Sequence, residues 1–243
     1  MILSKKNLLV IVQARMGSSR LPGKSLLKLG DKFLIEHVLD QILEFVPKEQ
    51  IVLATTQESS DDGLVSFVKS KYQIYCFRGS TEDVRSRFLQ ICDLFSPQIV
   101  LRITADDPFK SPLMMNDLFQ NFLDFRLPYL CNFEPRLVPI GQDLEFFDVE
   151  FFRKVSRITT DASNQEHVTP EMRLKTLDDQ VNLVDSSLLK KYSDLIDIRF
   201  TIDTEEDYLF CSHFYREYRE IFDHLNYDVD SIRLVLSKMR KSQ

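Results

Sequence analysis

Residues 7–13, 50–55, 73–77 and 98–104 are short runs rich in aliphatic and β-branched residues, each closed by polar turn residues. Between them the apolar positions recur at helical spacing: Ile35, Val38, Leu39, Ile42 and Val46 in the first interval, and Val84, Phe88, Ile91, Cys92 and Phe95 in the third. Brief apolar runs alternating with 3.6-period segments are the pattern of a βαβα chain. They predict an α/β fold, with a mostly parallel central sheet, right-handed crossovers and helices on both faces. Ser80 or Thr81 is expected to cap the third helix, with Glu82 and Asp83 at the positive end of its dipole.

The pattern loosens after Pro108, where Pro112, Pro128, Pro135 and Pro139 punctuate the chain. Residues 127–133 and 144–147 read as strands flanking a turn at 134–141, and strand character returns at 181–184 and 198–203. Thr204 is positioned to cap an amphipathic helix reaching about residue 220, and 228–241 is a second helix whose basic end, Lys238, Arg240 and Lys241, suits the dipole. No repeat or linker interrupts this order. One domain is expected over 1–243, with 128–170 as an insertion that shapes an acceptor pocket or a dimer arm.

With 44% apolar and 11% aromatic residues, the 243-residue chain can bury a large core, which excludes disordered and fibrous classes. Its 31 Lys and Arg stand against 37 Asp and Glu, for a net charge of −6. That balance argues against nucleic acid or a membrane surface as partner and leaves a local basic pocket open. The longest aliphatic run, residues 8–12, is far shorter than the ~20 residues that span a bilayer, so a cytoplasmic location is expected. Cys76, Cys92, Cys131 and Cys211 are scattered through apolar stretches without a CxxC, as buried free thiols are.

Three segments concentrate chemistry. The first follows the first predicted strand and reads Gln13-Ala14-Arg15-Met16-Gly17-Ser18-Ser19-Arg20-Leu21-Pro22-Gly23-Lys24. Ligands of open α/β sheets lie beyond the carboxyl ends of strands. There, backbone N–H groups and the Ser18 and Ser19 hydroxyls can hold phosphate oxygens whose charge Arg15, Arg20 and Lys24 neutralise. The segment fits neither GxGxxG nor GxxxxGK[ST], which sets aside a dinucleotide-binding dehydrogenase and a P-loop NTPase; a solvated basic turn is the plain alternative. The second segment, 102–108, ends a strand in Asp106-Asp107-Pro108, and Asp106 beside a triphosphate is a natural Mg²⁺ ligand. An Asp-Pro turn is its simpler explanation. The third, 198–207, ends in Asp203 before Thr204. If 198–203 is a strand of the central sheet, Asp203 and Asp106 converge on one metal ion or on a pair. Residues 205–207 are assigned to the helix dipole instead.

Two weaker candidates lie in the irregular region. Asp143 and Glu145 alternate on a predicted strand and so share a face, suited to sugar hydroxyls or acid–base work. His167, in Gln165-Glu166-His167-Val168-Thr169-Pro170, can contact a ligand or order its own loop.

The loop VQARMGSSRLPGK and the stretch LGDKFLIEHV that follows it resemble the nucleotide-binding start of the bacterial sugar cytidylyltransferases. Within that family the likeness is to the group called spore-coat polysaccharide biosynthesis protein F, and more distantly to the synthetases of CMP-Kdo and CMP-neuraminate. ATTQESSDD, RGSTEDVRSRF, RITADDP, GQDLEFF, EHVTP and RFTIDTEEDY follow in the family's order, so the likeness runs from about residue 7 to about residue 210. The resemblance implies a nucleotide-diphosphosugar-transferase fold and a homodimer. It also implies transfer of CMP from CTP to a sugar acid with Mg²⁺, releasing pyrophosphate, for surface polysaccharide or lipopolysaccharide. It assigns Arg15, Arg20 and Lys24 to the triphosphate, Ala14, Arg15, Met16 and Gly17 to the backbone beside the nucleotide, and Asp106 and Asp203 to the metal. Arg78, Gly79 and Ser80 fall in the base and substrate pocket. The chain departs from the pattern at Asp107, where Cys is frequent, and at Gln142, Gln165 and Glu205. Gln142 and Gln165 bear on the acceptor sugar. Two other readings stay open: a nucleotidyltransferase using another nucleoside triphosphate and a sugar 1-phosphate, and a nucleotide-binding scaffold without turnover.

Overall fold

A computed structural model describes residues 4–158, 162–180 and 187–241. Its strands are β1 (Leu8–Gln13), a small hairpin of β2 (Lys28–Leu29) and β3 (Lys32–Phe33), β4 (Ile51–Thr56), β5 (Tyr75–Gly79), β6 (Ile99–Thr104), β7 (Tyr129–Cys131) and β8 (Glu145–Asp148). Helices α1 (Leu34–Leu43), α2 (Asp62–Tyr72), α3 (Val84–Phe95) and α4 (Pro112–Asp124) alternate with them. The chain continues through α5 (Val149–Ile158), α6 (Ala162–His167), α7 (Pro170–Gln180) and α8 (Ser187–Lys190) to α9 (Glu205–Ile221) and α10 (Val229–Lys241).

The main sheet has the order β5-β4-β1-β6-β8-β7. Its first four strands are parallel, and β8 runs antiparallel to both β6 and β7. Period-two alternation divides the aliphatic run of β1 between two cores. Leu8, Val10 and Val12 pack in the core that includes Ile35, Phe146 and Phe214, while Leu9 and Ile11 pack on the opposite face with Phe88, Phe147 and Met172. This two-sided burial is why the β1 run is continuously apolar rather than alternating. All four cysteines are buried, and none is joined in a disulfide. Among the described residues no helix is long and apolar enough to cross a membrane.

Local expectations are met at the ends of the chain and corrected in three places. Thr204 caps α9, and Asp207 completes a reciprocal box with it. Helix α3, by contrast, is capped by Asp83, whose carboxylate accepts the Ser86 N–H at 2.8 Å; Ser80 instead accepts the Asp83 N–H. Asp at N-cap is as effective as Ser, and it stands one position before the first helical residue.

Residues 198–203 form no strand of the sheet. They bond instead to segments beyond the strands, in an isolated parallel bridge between Ile140 and Arg199 and a hydrogen bond from Ile202 N to the carbonyl of Asp106, just past the end of β6, at 2.9 Å. The reason is topological: β6 is already paired by β1 on one side and β8 on the other, so no edge is free. Asp143 precedes β8 rather than alternating within it. The predicted strand at 181–184 lies outside the described residues.

Candidate active site

The strand order reverses at β1. The chain moves outward through β4 and β5, then returns to place β6 on the other side of β1, in register from Leu8 with Ile99 to Gln13 with Thr104. Loops leaving adjacent parallel strands in opposite directions open a crevice at their carboxyl ends. A cleft opens there, lined by Gln13, Ala14, Arg15, Lys24, Asp106 and Asp203 among others.

The loop after β1 is held from below. Asp61, fully buried, accepts the Met16 N–H at 2.8 Å, the Thr56 N–H at 3.0 Å and the hydroxyls of Thr55 and Thr56 at 2.7 and 2.5 Å. Burial works against its charge, but these donors outweigh it and hold the carboxyl below its usual range. Gly23, at φ +76°, occupies the left-handed region and turns the chain so that Lys24 re-enters the cleft.

There the Lys24 ammonium donates to Asp106 Oδ2 at 2.7 Å, to Asp203 Oδ1 at 2.9 Å and to the Ile202 carbonyl at 3.1 Å. Burial disfavours its charge, and the two carboxylates more than offset that, raising its pKa. Asp203 also accepts Arg20 at 3.0 Å and Arg199 at 2.7 Å. Asp106 and Asp203 thus converge as the sequence suggests, but through a loop segment pinned to β6 rather than a neighbouring strand.

Beneath this pair lies a second, fully buried one. Lys110 donates to Asp107 at 2.9 Å, and Asp107 also accepts the Thr104 hydroxyl at 3.0 Å and the Thr201 hydroxyl at 2.7 Å. The end of β6 and the segment carrying Asp203 are thereby joined. Gln142 is likewise buried and donates to the Phe109 carbonyl, so it props the segment after Asp107 rather than facing an acceptor.

The remaining predicted residues lie elsewhere. Arg78 pairs with Asp62 at 2.5 Å and donates to the Thr56 and Glu58 carbonyls, outside the cleft lining. Met16, Gly17, Gly79 and Ser80 also lie outside that lining. Glu145 is buried and paired with Arg102, accepts the Tyr129 and Thr169 hydroxyls, and does not reach the cleft. Arg102 reaches Gln13 in turn, at 3.3 Å. Asp143 pairs with Arg136 at 2.8 Å. His167 is exposed at the end of α6, and its neighbour Glu166 lines the cleft instead.

Sequence reasoning passed over Gln13, Thr104 and above all Arg87, all of which line the cleft. The signal for Arg87 was available: it lies three residues after Val84 and four before Ile91, a cation on the apolar stripe of α3.

Residues 9–234 match the family described as cytidylyltransferase. The chain belongs to the cytidylyltransferase family. It is similar to the spore coat polysaccharide biosynthesis protein SpsF of Bacillus subtilis, 31% identical over 83% of each chain. It is also similar to the uncharacterized protein MJ1063 of Methanocaldococcus jannaschii, 30% identical over 94% of this chain and 89% of that one. Among solved structures, a cytidylyltransferase from Leptospira borgpetersenii superposes with a TM-score of 0.80 at 26% identity, covering 97% of this chain and 95% of the other. This cytidylyltransferase is therefore an enzyme of the nucleotidyltransferase class, with the mostly parallel sheet of that fold.

The donors around Lys24 suit a hard divalent cation. Two carboxylate oxygens and a carbonyl already surround one cationic centre within 3.1 Å. Among the described residues no group of three or more His, Cys, Asp or Glu side chains is placed to hold a metal ion. A protein supplying only two carboxylates and leaving the other positions to phosphate oxygens and water matches what Mg²⁺ prefers.

Proposed function

We propose that the cleft binds CTP with Mg²⁺ and transfers CMP to a sugar acid, releasing pyrophosphate, as a cytoplasmic step toward a surface polysaccharide. The observation that carries this reading is the convergence of Lys24, Asp106 and Asp203 at the reversal of strand order, inside a chain of this family. The name of the Bacillus subtilis relative, a spore coat polysaccharide biosynthesis protein, supports the pathway.

Arg15, Arg20 and Lys24 take the β- and γ-phosphate oxygens, and residues 14–17 lie beside the nucleoside. An acceptor oxygen attacks the α-phosphorus in line, its bond forming as the α–β bridge breaks; the acceptor proton goes to solvent and pyrophosphate carries the developing charge. The three cations stabilise that charge more in the transition state than in bound CTP, so they raise turnover and not affinity alone. Asp106 and Asp203 would hold Mg²⁺, which when bound neutralises phosphate charge and acidifies a coordinated hydroxyl. Lys24 then exchanges its carboxylate partners for phosphate. A homodimer is the expected assembly, but not through the aromatic residues around β7 and β8, since Tyr129, Phe146, Phe147 and Phe152 are buried in this chain's own cores.

The test is pyrophosphate release from CTP across a panel of sugar acids, with the product followed by ³¹P NMR. Pyrophosphate together with a CMP phosphodiester is expected. Release only from another triphosphate with a sugar 1-phosphate, giving a nucleoside diphosphate sugar, would replace this reading with the other nucleotidyltransferase chemistry.

A further inference from the structure

Arg87 is 1% exposed, yet among the described residues it forms no ion pair. Of its five N–H donors, one reaches the Ala54 carbonyl, at a long 3.3 Å, and Nε has no partner. Burial, and after it the positive charge of Arg15, pushes its pKa down to about 10. A buried guanidinium so placed is an unsatisfied charge that folding alone does not account for.

Its surroundings are nevertheless built around it. A Cβ at Gly79 would stand 2.6 Å from Arg87 Cγ, so the glycine makes room for the arginine stem. The Ala54 carbonyl that Arg87 touches also accepts the N–H of Ala14, the first residue of the basic loop. The guanidinium therefore lies directly beneath that loop, and it is part of the cleft lining. Its unmet donors and its charge call for an anion on the cleft side.

We propose that Arg87 is a nucleotide-binding residue that takes a phosphate oxygen of the bound triphosphate beside Arg15. This rests on the reading of the cleft as a triphosphate site. The segment after β5 thus serves the cleft through a residue of α3, with Gly79 supplying the space, and not through the Arg78 side chain.

The full chain and its Arg87→Met variant are compared by thermal unfolding without ligand. Both are then titrated calorimetrically with CTP and with inorganic tripolyphosphate. Methionine fills the same volume without charge, so the ligand-free midpoint is expected to hold or rise, while both ligands weaken by tenfold or more. Arg87→Lys, which restores the charge, should recover part of that loss; Arg87→Gln gives the same reading as methionine if the latter does not fold. A lowered midpoint with unchanged binding would make Arg87 structural and overturn the proposal. Weakened CTP with unchanged tripolyphosphate would assign it to the nucleoside and overturn it equally. Wild-type protein that binds tripolyphosphate but no nucleotide refutes the CTP reading while the Arg87 comparison still stands; binding of neither refutes both.

Discussion

Asp106→Asn is expected to lower turnover of CTP by about a thousandfold, close to 4 kcal/mol of transition-state stabilisation, with the fold intact. The variant loses one of the two carboxylates that Lys24 bonds, and with it half of the charge proposed to hold Mg²⁺. The backbone of Asp106, which accepts Ile202 N, is untouched, so the segment bearing Asp203 stays in place. The Lys24 and Asp106 side chains are 12% and 23% exposed, and Asp203 still holds the ammonium, so the stability loss should stay near 1 kcal/mol. Steady-state pyrophosphate release beside a thermal melt checks both halves. Turnover within a few fold of wild type would remove Asp106 from the reaction. Asp203→Asn is the less clean variant, because Arg20 and Arg199 also lose a partner.

Asp107→Ala has the largest expected effect on stability, a loss of about 3–5 kcal/mol, because it leaves the Lys110 ammonium buried without its counter-charge. In a chain of this size each kcal/mol moves the midpoint by about 2–4 °C, so a drop on the order of 10 °C should appear in a melt. Pairing it with Lys110→Met should restore much of the loss, since removing both charges also removes their desolvation. The pH dependence follows in sign. Burial opposes the Asp107 charge, but Lys110 and the hydroxyls of Thr201 and Thr104 outweigh it and hold the carboxyl below its usual range. A carboxyl lowered on folding contributes stability that is complete above the ordinary carboxylate range and is lost as pH falls through the native value. Acid unfolding of the wild type should therefore begin at a higher stability than that of the double variant and fall more steeply. A single variant within about 1 kcal/mol of wild type would contradict the buried pair's place in the fold.

The parts of this enzyme visible in its sequence are those that local pattern dictates. The run in β1, the α3 stripe and the Thr204 cap are each decided by residues within a few positions of one another. The basic loop was legible for the same reason, since strand end, glycine and cation lie within twelve residues. Glu145 was misjudged because its partners, Arg102, Tyr129 and Thr169, are 16 to 43 residues away, and alternation alone carries no information about pairing. Asp203 was placed correctly beside Asp106 on a mistaken premise: periodicity in 198–203 reports burial of Phe200 and Ile202, whereas strand pairing needs a free edge that β6 lacks. Arg87 was overlooked because a stripe is read for its apolar members, and the cations buried among them on α3, Arg85 and Arg87, are passed over.

The most direct measurement is thermal unfolding of the full chain with CTP, UTP, dTTP, GTP and ATP, each with Mg²⁺ and with chelator. A ligand at a hundredfold excess over its dissociation constant adds about 2.7 kcal/mol to the folded state. Stabilisation by CTP above the other four, largest with Mg²⁺, is the expected result. Preference for another base, or no shift with any of the five, would contradict the assignment of this cleft to CTP.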